Sequence, residues 1–305
     1  MKEIDVSVLI PCFNEQENIP YLIETIDAFT KNNAHISWEF VFIDDGSKDN
    51  TWALLEKTCL EGVHLQLLQL AKNFGSHAAL RAGISVARGR YTTFLYADLQ
   101  DPIDLLLQLF EKIQKHKKEV VWAVRKQSQG IFSALYAFLM QKIVNKNFPS
   151  TGFDVVMFSR KVQKNLNNAI ENESSLFLQI LDFGFSDASI TYQKQFRRLG
   201  KSKWTIKKKL ALLLNSIFGF SIFPVYSIAL IGFLFLLMAF GSIVYAVYTK
   251  NFTTWLLPIV LLLGFGFTQI SLAMLGLYLW RSERKFAKPA FIIQNTIIKN
   301  ANTLL

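Results

Sequence analysis

A long apolar stretch near the end of the chain is the feature that most limits how it can fold. From Phe218 to Trp280 the only charged side chain is Lys250. The apolar residues form two segments, about Val225–Tyr248 and Thr254–Trp280, and each exceeds the roughly 20 residues that an α-helix needs to cross a membrane. Core helices of this length normally carry a polar face, which both segments lack. We therefore predict a two-helix transmembrane hairpin at 221–282.

Basic residues flank this apolar region on both sides. They are Lys201, Lys203, Lys207, Lys208 and Lys209 before it, and Arg281, Arg284, Lys285 and Lys288 after it. The net charge of +10 makes nucleic acid, anionic lipid and phosphorylated substrates all candidate partners, but bases beside membrane spans are typical of lipid contact and topology. We predict membrane lipids and no nucleic acid as partners. A hairpin flanked by bases also predicts a multi-pass protein of the cytoplasmic (inner) membrane with both chain ends in the cytoplasm.

Two further segments have the composition of helices that lie in the membrane interface. Residues 130–148 are rich in aromatic side chains, and residues 203–220 begin with lysines and then turn apolar. For the first segment, an ordinary buried helix is an equal alternative. The remaining divisions that we predict are a cytoplasmic domain at 1–202, which includes 130–148, and a cytoplasmic C-terminal tail at 283–305.

The first 202 residues have the pattern of an α/β domain. We predict strands at Val6–Ile10, Trp38–Ile43, Leu65–Leu70 and Tyr91–Tyr96, and helices that run from Phe13–Glu15 to Phe29, over Thr51–Thr58 and over Ser76–Ala87. This alternation predicts a mostly parallel sheet with helices on both faces. In such sheets ligands bind beyond the carboxyl ends of the strands. We therefore expect the loops Pro11–Glu15, Asp44–Asp49, Lys72–Gly75 and Asp98–Asp101 to gather at one edge and form a site.

The chain lacks the two commonest phosphate-binding motifs, GxGxxG after the first strand and GxxxxGK[ST] anywhere. A bound diphosphate would need another source of positive charge. Carboxylates at a strand end favour a divalent cation, because Mg²⁺ commonly bridges one or two carboxylates to phosphates. Cys12 and Cys59 have no metal-ligand spacing, and we assign them no role.

Six motifs together resemble family 2 glycosyltransferases. They are Pro11-Cys12-Phe13-Asn14-Glu15, Asp44-Asp45-Gly46-Ser47, Asn73-Phe74-Gly75, Ala97-Asp98-Leu99-Gln100-Asp101-Pro102, Thr151-Gly152-Phe153-Asp154 and the stretch from Arg197 to Trp204. The ordered set is specific, and the resemblance covers nearly the whole chain, including the two apolar C-terminal segments. The subgroup it most resembles is the polyprenyl-phosphate (dolichyl-phosphate-like) hexose synthases, including bactoprenol glucosyltransferases. The resemblance implies a Rossmann-like GT-A domain that transfers a sugar, with glucose from UDP-glucose expected first, from a nucleotide-sugar donor to polyprenyl phosphate.

The resemblance also implies a role for each matching residue. The donor nucleotide would be held by Pro11, Phe13, Glu15, Asp44 and Gly75. A Mg²⁺ or Mn²⁺ cofactor would be held by Asp98 and Gln100. The acceptor phosphate would be contacted by Arg125 and Ser202. The residues expected to stabilise the departing nucleoside diphosphate are Asp98, Arg197 and Lys203.

Two departures from the family pattern affect these expectations. The metal motif is often Asp-x-Asp, and here Tyr96 stands at its first position, so metal affinity or metal dependence could be lower. Many relatives also carry basic residues in the segment after Arg125, whereas 127–141 has none. Contacts from that segment to the acceptor phosphate are therefore not expected.

Simpler interpretations apply to several polar residues near these motifs. Asp45, Ser47 and Asp49 fit turn and N-cap positions, and Asp101 before Pro102 fits a helix N-cap. His77 is expected to pack near the Asn73–Gly75 loop rather than to touch substrate.

Two rival functions stay open at this stage. A processive polysaccharide synthase would carry Gln-x-x-Arg-Trp, which Gln195 to Leu199 imitates without the Trp. A non-catalytic membrane scaffold could keep a degenerate transferase domain. The sequence leaves open the sugar, the nucleotide, the polyprenyl chain and whether the chain forms a homo-oligomer.

Overall fold

The computed structural model of the chain describes residues 3–126, 131–169, 175–195, 221, 223–283 and 291–299. Residue contacts divide the chain into two compact units, Met1–Leu212 with Lys288–Leu305, and Leu213–Ala287. The interfacial helix that the sequence predicts at 203–220 lies outside the described residues.

In the described part of the first unit, eight strands form one sheet. They are β1 Val6–Cys12, β2 Trp38–Asp44, β3 His64–Leu70, β4 Tyr91–Phe94, β5 Val120–Arg125, β6 Phe153–Ser159, β7 Asp187–Tyr192 and β8 Ile293–Lys299. Their order is β7-β5-β6-β4-β1-β2-β3-β8. The pairs β1–β2, β1–β4, β2–β3 and β5–β7 are parallel, whereas β6 and β8 run antiparallel to their neighbours. The predicted mostly parallel α/β sheet is confirmed.

Helices cover both faces of this sheet. They are α1 Ile19–Asn32, α2 Thr51–Lys57, α3 Ser76–Val86, α4 Leu105–His116, α5 Ile131–Leu139, α6 Arg160–Asn168 and α7 Leu176–Asp182. On one face, Val8 and Phe40 belong to a core that includes Leu22 of α1 and Leu109 of α4. On the other face α3 packs on β1 and β2. Because the central strands are covered on both sides, they are apolar nearly throughout rather than alternating.

The first helix begins later than the sequence pattern indicates. α1 starts at Ile19, whereas the prediction begins it near Phe13–Glu15. The intervening backbone is held in a loop by side chains of the neighbouring loop, since the Asn14 N–H donates to Ser47 Oγ and the Glu15 N–H donates to Thr51 Oγ1, both at 2.8 Å. If α1 began near Phe13, these two amides would lie in its first turn and would have no partner within the helix; here the neighbouring loop accepts their hydrogen bonds.

The segment after β5 contains α5 and a π-helical turn at Met140–Val144. Ala137 and Met140 are buried, whereas Leu135 and Phe138 are about half exposed, at 49% and 54%. One side of this segment therefore packs into the domain and another presents apolar side chains outward. It combines features of the buried and the interfacial interpretations that the sequence left open.

The second unit contains two long helices, α8 Phe223–Thr249 and α9 Phe252–Glu283. Their apolar parts have mean hydropathies of 2.5 and 2.0, and most of their side chains are not buried within the protein. The helices pack on each other, and the rings of Tyr245 and Trp255 meet at 5.2 Å near the turn. Both are long and apolar enough to cross a membrane, so the two predicted apolar helices are confirmed.

The last strand, β8, was not predicted; the sequence analysis placed 293–299 in a tail. β8 pairs with the edge of β3, where Ile297 lies opposite Leu67. Asn295 Nδ2 donates to Gln69 Oε1 at 2.7 Å. Lys299 Nζ donates to the carbonyls of Glu56 and Thr58, near the end of α2, at 2.6 and 2.7 Å. The run IIQNTIIK, which is rich in β-branched residues, was the available signal.

If β8 is part of the domain, its inward face should contribute to stability. We expect Ile297→Asp to lower the free energy of unfolding by about 2 kcal/mol, because it places a charge where a half-buried side chain packs against the core. Ile298→Asp is the matched control, since that side chain is 54% exposed on the same strand. Thermal unfolding of the purified protein in detergent measures both. Equal effects of the two substitutions would contradict the placement of β8.

Candidate functional site

The loops named by the sequence analysis gather at the carboxyl ends of the parallel strands. Cys12, Asp44 and Gln69 are register partners at the ends of β1, β2 and β3. β6 runs the other way, so Asp154 near its start lies at the same edge as Arg125 at the end of β5. The convergence that the sequence predicts is therefore present for the four loops after β1 to β4.

The first two loops are joined by hydrogen bonds. Besides the contacts of the Asn14 and Glu15 amides, the Lys48 N–H donates to Asn14 Oδ1 at 2.8 Å. Thr51 Oγ1 accepts the hydrogen bond from the Glu15 N–H and itself donates to Asp49 Oδ1 at 2.6 Å. Ser47 and Asp49 therefore do more than shape a local turn, because they help to position the loop that carries Phe13 and Glu15.

Asp45 fastens the third loop to the second. Its carboxylate, 3% exposed, accepts from Asn73 Nδ2 at 2.9 Å, the Phe74 N–H at 2.7 Å and the Gly75 N–H at 2.9 Å. Its own N–H donates to the Cys12 carbonyl at 2.8 Å. Asp45 is thus a structural centre of the site, and a simple turn residue would not make these contacts.

Gly46 allows these two loops to come close. Its φ is +68°, and a Cβ there would lie 2.5 Å from the Lys72 carbonyl carbon. Any side chain would be strained by this backbone conformation and would also clash with the backbone of the third loop. The Gly in the Asp-Asp-Gly-Ser motif is therefore required by packing between loops.

Asp44 is a buried carboxylate, and only one of its two oxygens has a hydrogen-bond partner within the described residues. The residue is fully buried, and its Oδ1 accepts from the Ser47 N–H at 3.1 Å. Within the described residues, Oδ2 has no hydrogen-bond partner. A buried polar atom in this state costs free energy, and each such case in a protein calls for an explanation. A donor group on a bound molecule would satisfy this oxygen.

A second buried acid in the same strand shows the contrast. Glu39, near the start of β2 and at the opposite edge of the sheet, is also fully buried. Its oxygens receive hydrogen bonds from Ser7, from Gln66 Nε2 at 2.8 Å, and from the Arg88 amide and Nε at 2.8 and 2.7 Å. The structural carboxylate of β2 is fully satisfied, whereas the carboxylate at the candidate site is not.

The loop after β4 carries the predicted metal residues. Asp98 is half-buried and its Oδ1 accepts from the Gln100 N–H at 3.3 Å. Burial, followed by the charges of Asp154, Asp101 and Asp98, raises the pKa of Tyr96 far above its usual range. Tyr96 therefore stays protonated and cannot replace the anionic ligand that the family often has at this position.

A cluster of opposite charges surrounds Asp154. Lys194 Nζ lies 2.5 Å from Asp154 Oδ2 and 3.8 Å from Asp101 Oδ1, and Arg125 Nη1 lies 3.8 Å from Asp154 Oδ2. Tyr192 donates its hydroxyl to Asp101 Oδ1 at 2.6 Å. The N-cap interpretation of Asp101 is wrong, because α4 begins at Leu105 and the carboxylate is bound to β7 instead.

Gly152 makes room for the guanidinium in this cluster. Its φ is +74°, and a Cβ at this position would lie 2.3 Å from Arg125 Nη2. The Arg125 N–H also donates to the Gly152 carbonyl at 3.2 Å. The Thr-Gly-Phe-Asp motif therefore supplies both the space for Arg125 and, through Asp154, its counter-charge.

His77 lies against α7 rather than in the substrate edge. Its Nδ1 accepts from the Leu176 N–H at 3.4 Å, and its ring meets Phe177 edge-on at 5.9 Å. Burial, aided by the nearby charge of Arg81, lowers the pKa of His77 to about 4. The imidazole is therefore neutral near pH 7 and serves as a packing residue.

The sequence-derived site residues fall into two groups. Those that the structure describes, and places at the carboxyl edge of the sheet, are Pro11, Phe13, Glu15, Asp44, Gly75, Asp98, Gln100 and Arg125. Those that lie outside the described residues are Arg197, Ser202 and Lys203. The sequence analysis missed Tyr192 and Lys194, whose only available signal was their position at the end of a strand.

A cavity of about 400 Å³ lies elsewhere in the domain, beside β5, β6 and β7. Its lining includes Trp122, Phe153, Asp187 and Lys146, and it contains no residue that the sequence analysis assigned to a site. Trp122 is fixed there by a hydrogen bond from Nε1 to Asp187 Oδ2 at 3.1 Å and by stacking on Phe153. The buried and hydrogen-bonded polar groups of the loops, not this cavity, mark the candidate site.

The residues present fit a divalent cation only in a limited way. No group of three or more His, Cys, Asp or Glu side chains with metal-ligand geometry occurs in the described part of the chain. Lys194 already neutralises Asp154 and approaches Asp101. Asp98, with Gln100, fits a cation whose remaining ligands come from a bound diphosphate.

The environment of Asp101 predicts a pH-dependent stability. Burial, more than the opposing charge of Lys194, sets the pKa of this carboxyl at about 6, against 3.8 ordinarily. Because the pKa of Asp101 is higher in the folded protein than in the unfolded chain, folding favours the protonated carboxyl. The stability that the protonated carboxyl contributes is fully present below about pH 4 and is lost as the pH rises through 6. Asp101→Asn should therefore raise the free energy of unfolding by about 1 to 3 kcal/mol at pH 7.5 and by less at pH 5. Thermal unfolding at both values tests this; a destabilisation that is equal at the two would contradict it.

Comparison with known proteins places these motifs in one family. The family described as glycosyl transferase family 2 matches residues 7–137. An uncharacterized glycosyltransferase of Bacillus subtilis, YkoT, is 32% identical over 253 residues, which cover 78% of this chain and 74% of YkoT. The undecaprenyl-phosphate 4-deoxy-4-formamido-L-arabinose transferase of Pseudomonas fluorescens is 28% identical over 306 residues, covering 96% of this chain and 89% of the relative.

The fold comparison agrees with the sequence comparison. Mannosyl-3-phosphoglycerate synthase from Rubrobacter xylanophilus superposes with a TM-score of 0.51 at 14% identity, covering 70% of this chain and 72% of that one. At this identity the likeness concerns the fold alone, which is the GT-A type of α/β domain. With its motifs at the carboxyl edge of that sheet, the chain belongs to glycosyltransferase family 2 and is a glycosyltransferase.

Proposed function

We propose that this enzyme transfers a sugar from a nucleotide-sugar donor to the phosphate of a polyprenyl lipid, undecaprenyl phosphate in the first instance, at the cytoplasmic face of a membrane. The proposal that this edge binds the nucleotide-sugar donor rests on the buried Asp44 carboxylate, whose Oδ2 has no hydrogen-bond partner among the described residues. The acceptor side is supported by the relatives named as undecaprenyl-phosphate transferases and by the two long apolar helices.

The donor nucleotide binds across the first three loops in this proposal. Asp44 Oδ2 accepts an N–H or O–H from the base or ribose. Asp45 holds the Asn73–Gly75 loop beside it, and the bonded loop that carries Phe13 and Glu15 supplies the opposite wall. Because these loops are fastened to one another before substrate arrives, little conformational entropy is lost on binding.

The reaction is a direct displacement. A phosphate monoester has a second pKa of about 6, so the lipid phosphate is already largely anionic and needs no general base. One of its oxygens attacks the anomeric carbon while the bond from that carbon to the nucleoside diphosphate breaks, and the electron pair leaves with the diphosphate. A single displacement inverts the anomeric configuration, and the protein contributes position and positive charge.

The negative charge on the leaving diphosphate would be stabilised by a cation held in the loop after β4. Asp98 and Gln100 would hold Mg²⁺ or Mn²⁺, and the cation would neutralise the departing diphosphate when bound. Arg197 and Lys203 are proposed to add positive charge from the segment after β7. Tyr96, protonated beside Asp98, lowers the number of anionic ligands, so we expect weaker cation binding than an Asp-x-Asp site would give.

The membrane side of the proposal follows from the apolar surfaces. α8 and α9 would anchor the enzyme as a hairpin with both chain ends in the cytoplasm, in keeping with the flanking bases. Leu135 and Phe138 on α5 would face the headgroup region, as would the 203–220 segment. The domain would then lie where the phosphate of a lipid acceptor is found.

The sugar is the least determined part of the proposal. Glucose from UDP-glucose is our first expectation, but several relatives are named for 4-deoxy-4-formamido-L-arabinose.

A donor screen tests the reaction and the sugar together. Purified protein in detergent, with undecaprenyl phosphate and Mg²⁺ or Mn²⁺, receives one radiolabelled nucleotide sugar at a time, including a nucleotide-linked formamido-arabinose. Label that enters the organic phase with one donor supports the proposal. No transfer from any donor would favour the non-catalytic scaffold, and a polymeric product would favour a processive synthase.

Asp44→Asn tests the role of the unpartnered oxygen. Asn keeps an acceptor for the Ser47 amide but removes the charge, so kcat/KM for the donor should fall about 10- to 100-fold. Asp27→Asn is the matched control, because Asp27 lies on α1 in an exposed pair with Lys31. Equal activity of the two variants in the transfer assay would remove Asp44 from the donor site.

A further inference from the structure

Asp101 is a second buried carboxylate at the candidate site with an oxygen that lacks a partner. The residue is 1% exposed. Its Oδ1 accepts a hydrogen bond from the Tyr192 hydroxyl at 2.6 Å and lies 3.8 Å from Lys194 Nζ. Within the described residues, Oδ2 has no hydrogen-bond partner. A buried acceptor in this state costs free energy, so a donor group on a bound molecule would stabilise the site.

The charges beside Asp101 are balanced, which favours a neutral ligand. Lys194 lies between Asp101 and Asp154, with Nζ 2.5 Å from Asp154 Oδ2, and Arg125 Nη1 lies 3.8 Å from the same oxygen. Two carboxylates thus meet two cations, and these four charges cancel. A carboxylate oxygen repels a phosphate but accepts hydrogen bonds from hydroxyl groups. The ligand class that suits Oδ2 is therefore a neutral group that carries hydroxyls.

The order of the strands places this carboxylate where the sugar of a nucleotide sugar would lie. Across the site the order is β3-β2-β1-β4-β6-β5-β7, so the loop after β4 separates the loops after β1 to β3 from the side of β7. In a nucleotide sugar the diphosphate stands between the nucleoside and the sugar. With the nucleoside at Asp44 and the diphosphate at Asp98, the sugar would extend towards β7, where Tyr192 holds Asp101.

Backbone contacts fix the surroundings of this carboxylate. The Gln195 N–H donates to the Gln100 carbonyl at 2.8 Å, and the Lys126 N–H donates to the Tyr192 carbonyl at 2.9 Å. The loop after β4 is therefore bonded to the segment after β7, and Tyr192 is itself bonded to the end of β5. Because Asp101 is held in place before a ligand arrives, little conformational entropy would be lost on binding.

We propose that Asp101 Oδ2 accepts a hydrogen bond from a hydroxyl group of the donor's sugar and thereby helps the enzyme to select that sugar. The inference rests on the proposed function and gives Asp101 a substrate contact, whereas the sequence pattern indicated only a helix N-cap. Tyr192 is a positioning residue in this account, because it acts through Asp101. A site built to bond a hydroxyl discriminates strongly against a ligand that lacks it, since the buried acceptor is then left unpaired.

Equilibrium binding to the purified full-length protein tests this without requiring turnover. The probes are the nucleotide sugars of the donor screen, each compared with its own nucleoside diphosphate, beginning with UDP-glucose and UDP. Titration at pH 7.5, above the Asp101 pKa of about 6, keeps the carboxylate ionised. We expect Asp101→Asn to weaken binding of the nucleotide sugar about 10-fold or more, because a hydrogen bond to a charged acceptor is lost. Binding of the nucleoside diphosphate should be unchanged.

Asp104→Asn is the matched control, because Asp104 is exposed at the N-cap of α4 and loses the same charge. Tyr192→Phe should also weaken the nucleotide sugar selectively, since it removes the hydroxyl that holds Oδ1. Because Asp101→Asn is expected to be more stable than wild type at this pH, unfolding would not explain a selective loss.

Equal weakening of the nucleotide sugar and the nucleoside diphosphate in Asp101→Asn would show a structural role and overturn the inference. Unchanged binding of both in the folded variant would overturn it as well. In either case the inference fails while the donor site stands. If wild type binds neither nucleotide sugars nor nucleoside diphosphates, the proposed function fails and the inference fails with it.

Discussion

A carboxylate buried at the end of a β-strand must be given hydrogen-bond donors, and this requirement organises the whole catalytic edge of the protein. Asp45 satisfies it by drawing the Asn73–Gly75 loop onto the second loop. Asp101 does so only in part, through Tyr192 and Lys194, and Asp44 keeps one oxygen unpartnered within the described structure. In our proposal, the carboxylate whose hydrogen bonds are satisfied, Asp45, builds the site, and the one with an unpartnered oxygen, Asp44, meets the donor.

In the proposed reaction this edge serves a lipid acceptor without a general base. The loops after β1, β2 and β3 are fastened to one another, and near the end of β5 the cations Lys194 and Arg125 meet the carboxylates of Asp154 and Asp101. Between them lies the Asp98 loop, joined to the segment after β7 by the Gln195 amide. In the proposed reaction the leaving diphosphate would be met by the cation that Asp98 and Gln100 hold, and by Arg197 and Lys203, rather than by the fastened loops.

The parts that could be predicted from sequence are those that depend on local pattern. Apolar runs such as VSVLI and WEFVFI, each ended by polar residues, predict buried parallel strands and the edge where their loops meet. The contacts that complete the site join distant residues, as Tyr192 and Asp101 do, and no local pattern encodes them. For β8 the run IIQNTIIK carried a local signal for a strand, but its pairing with β3, more than two hundred residues earlier, is encoded by no local pattern.

Hydrogen–deuterium exchange on the purified protein, with and without a panel of nucleoside diphosphates, tests most directly whether this edge binds the donor. The account predicts that one diphosphate slows amide exchange in 44–51 and 72–75, the loops around Asp44 and Asp45. Peptides around Glu39 and Arg88, at the satisfied edge, should exchange as before. Protection confined to the Glu39 edge, or to neither edge at saturating nucleotide, would contradict the account.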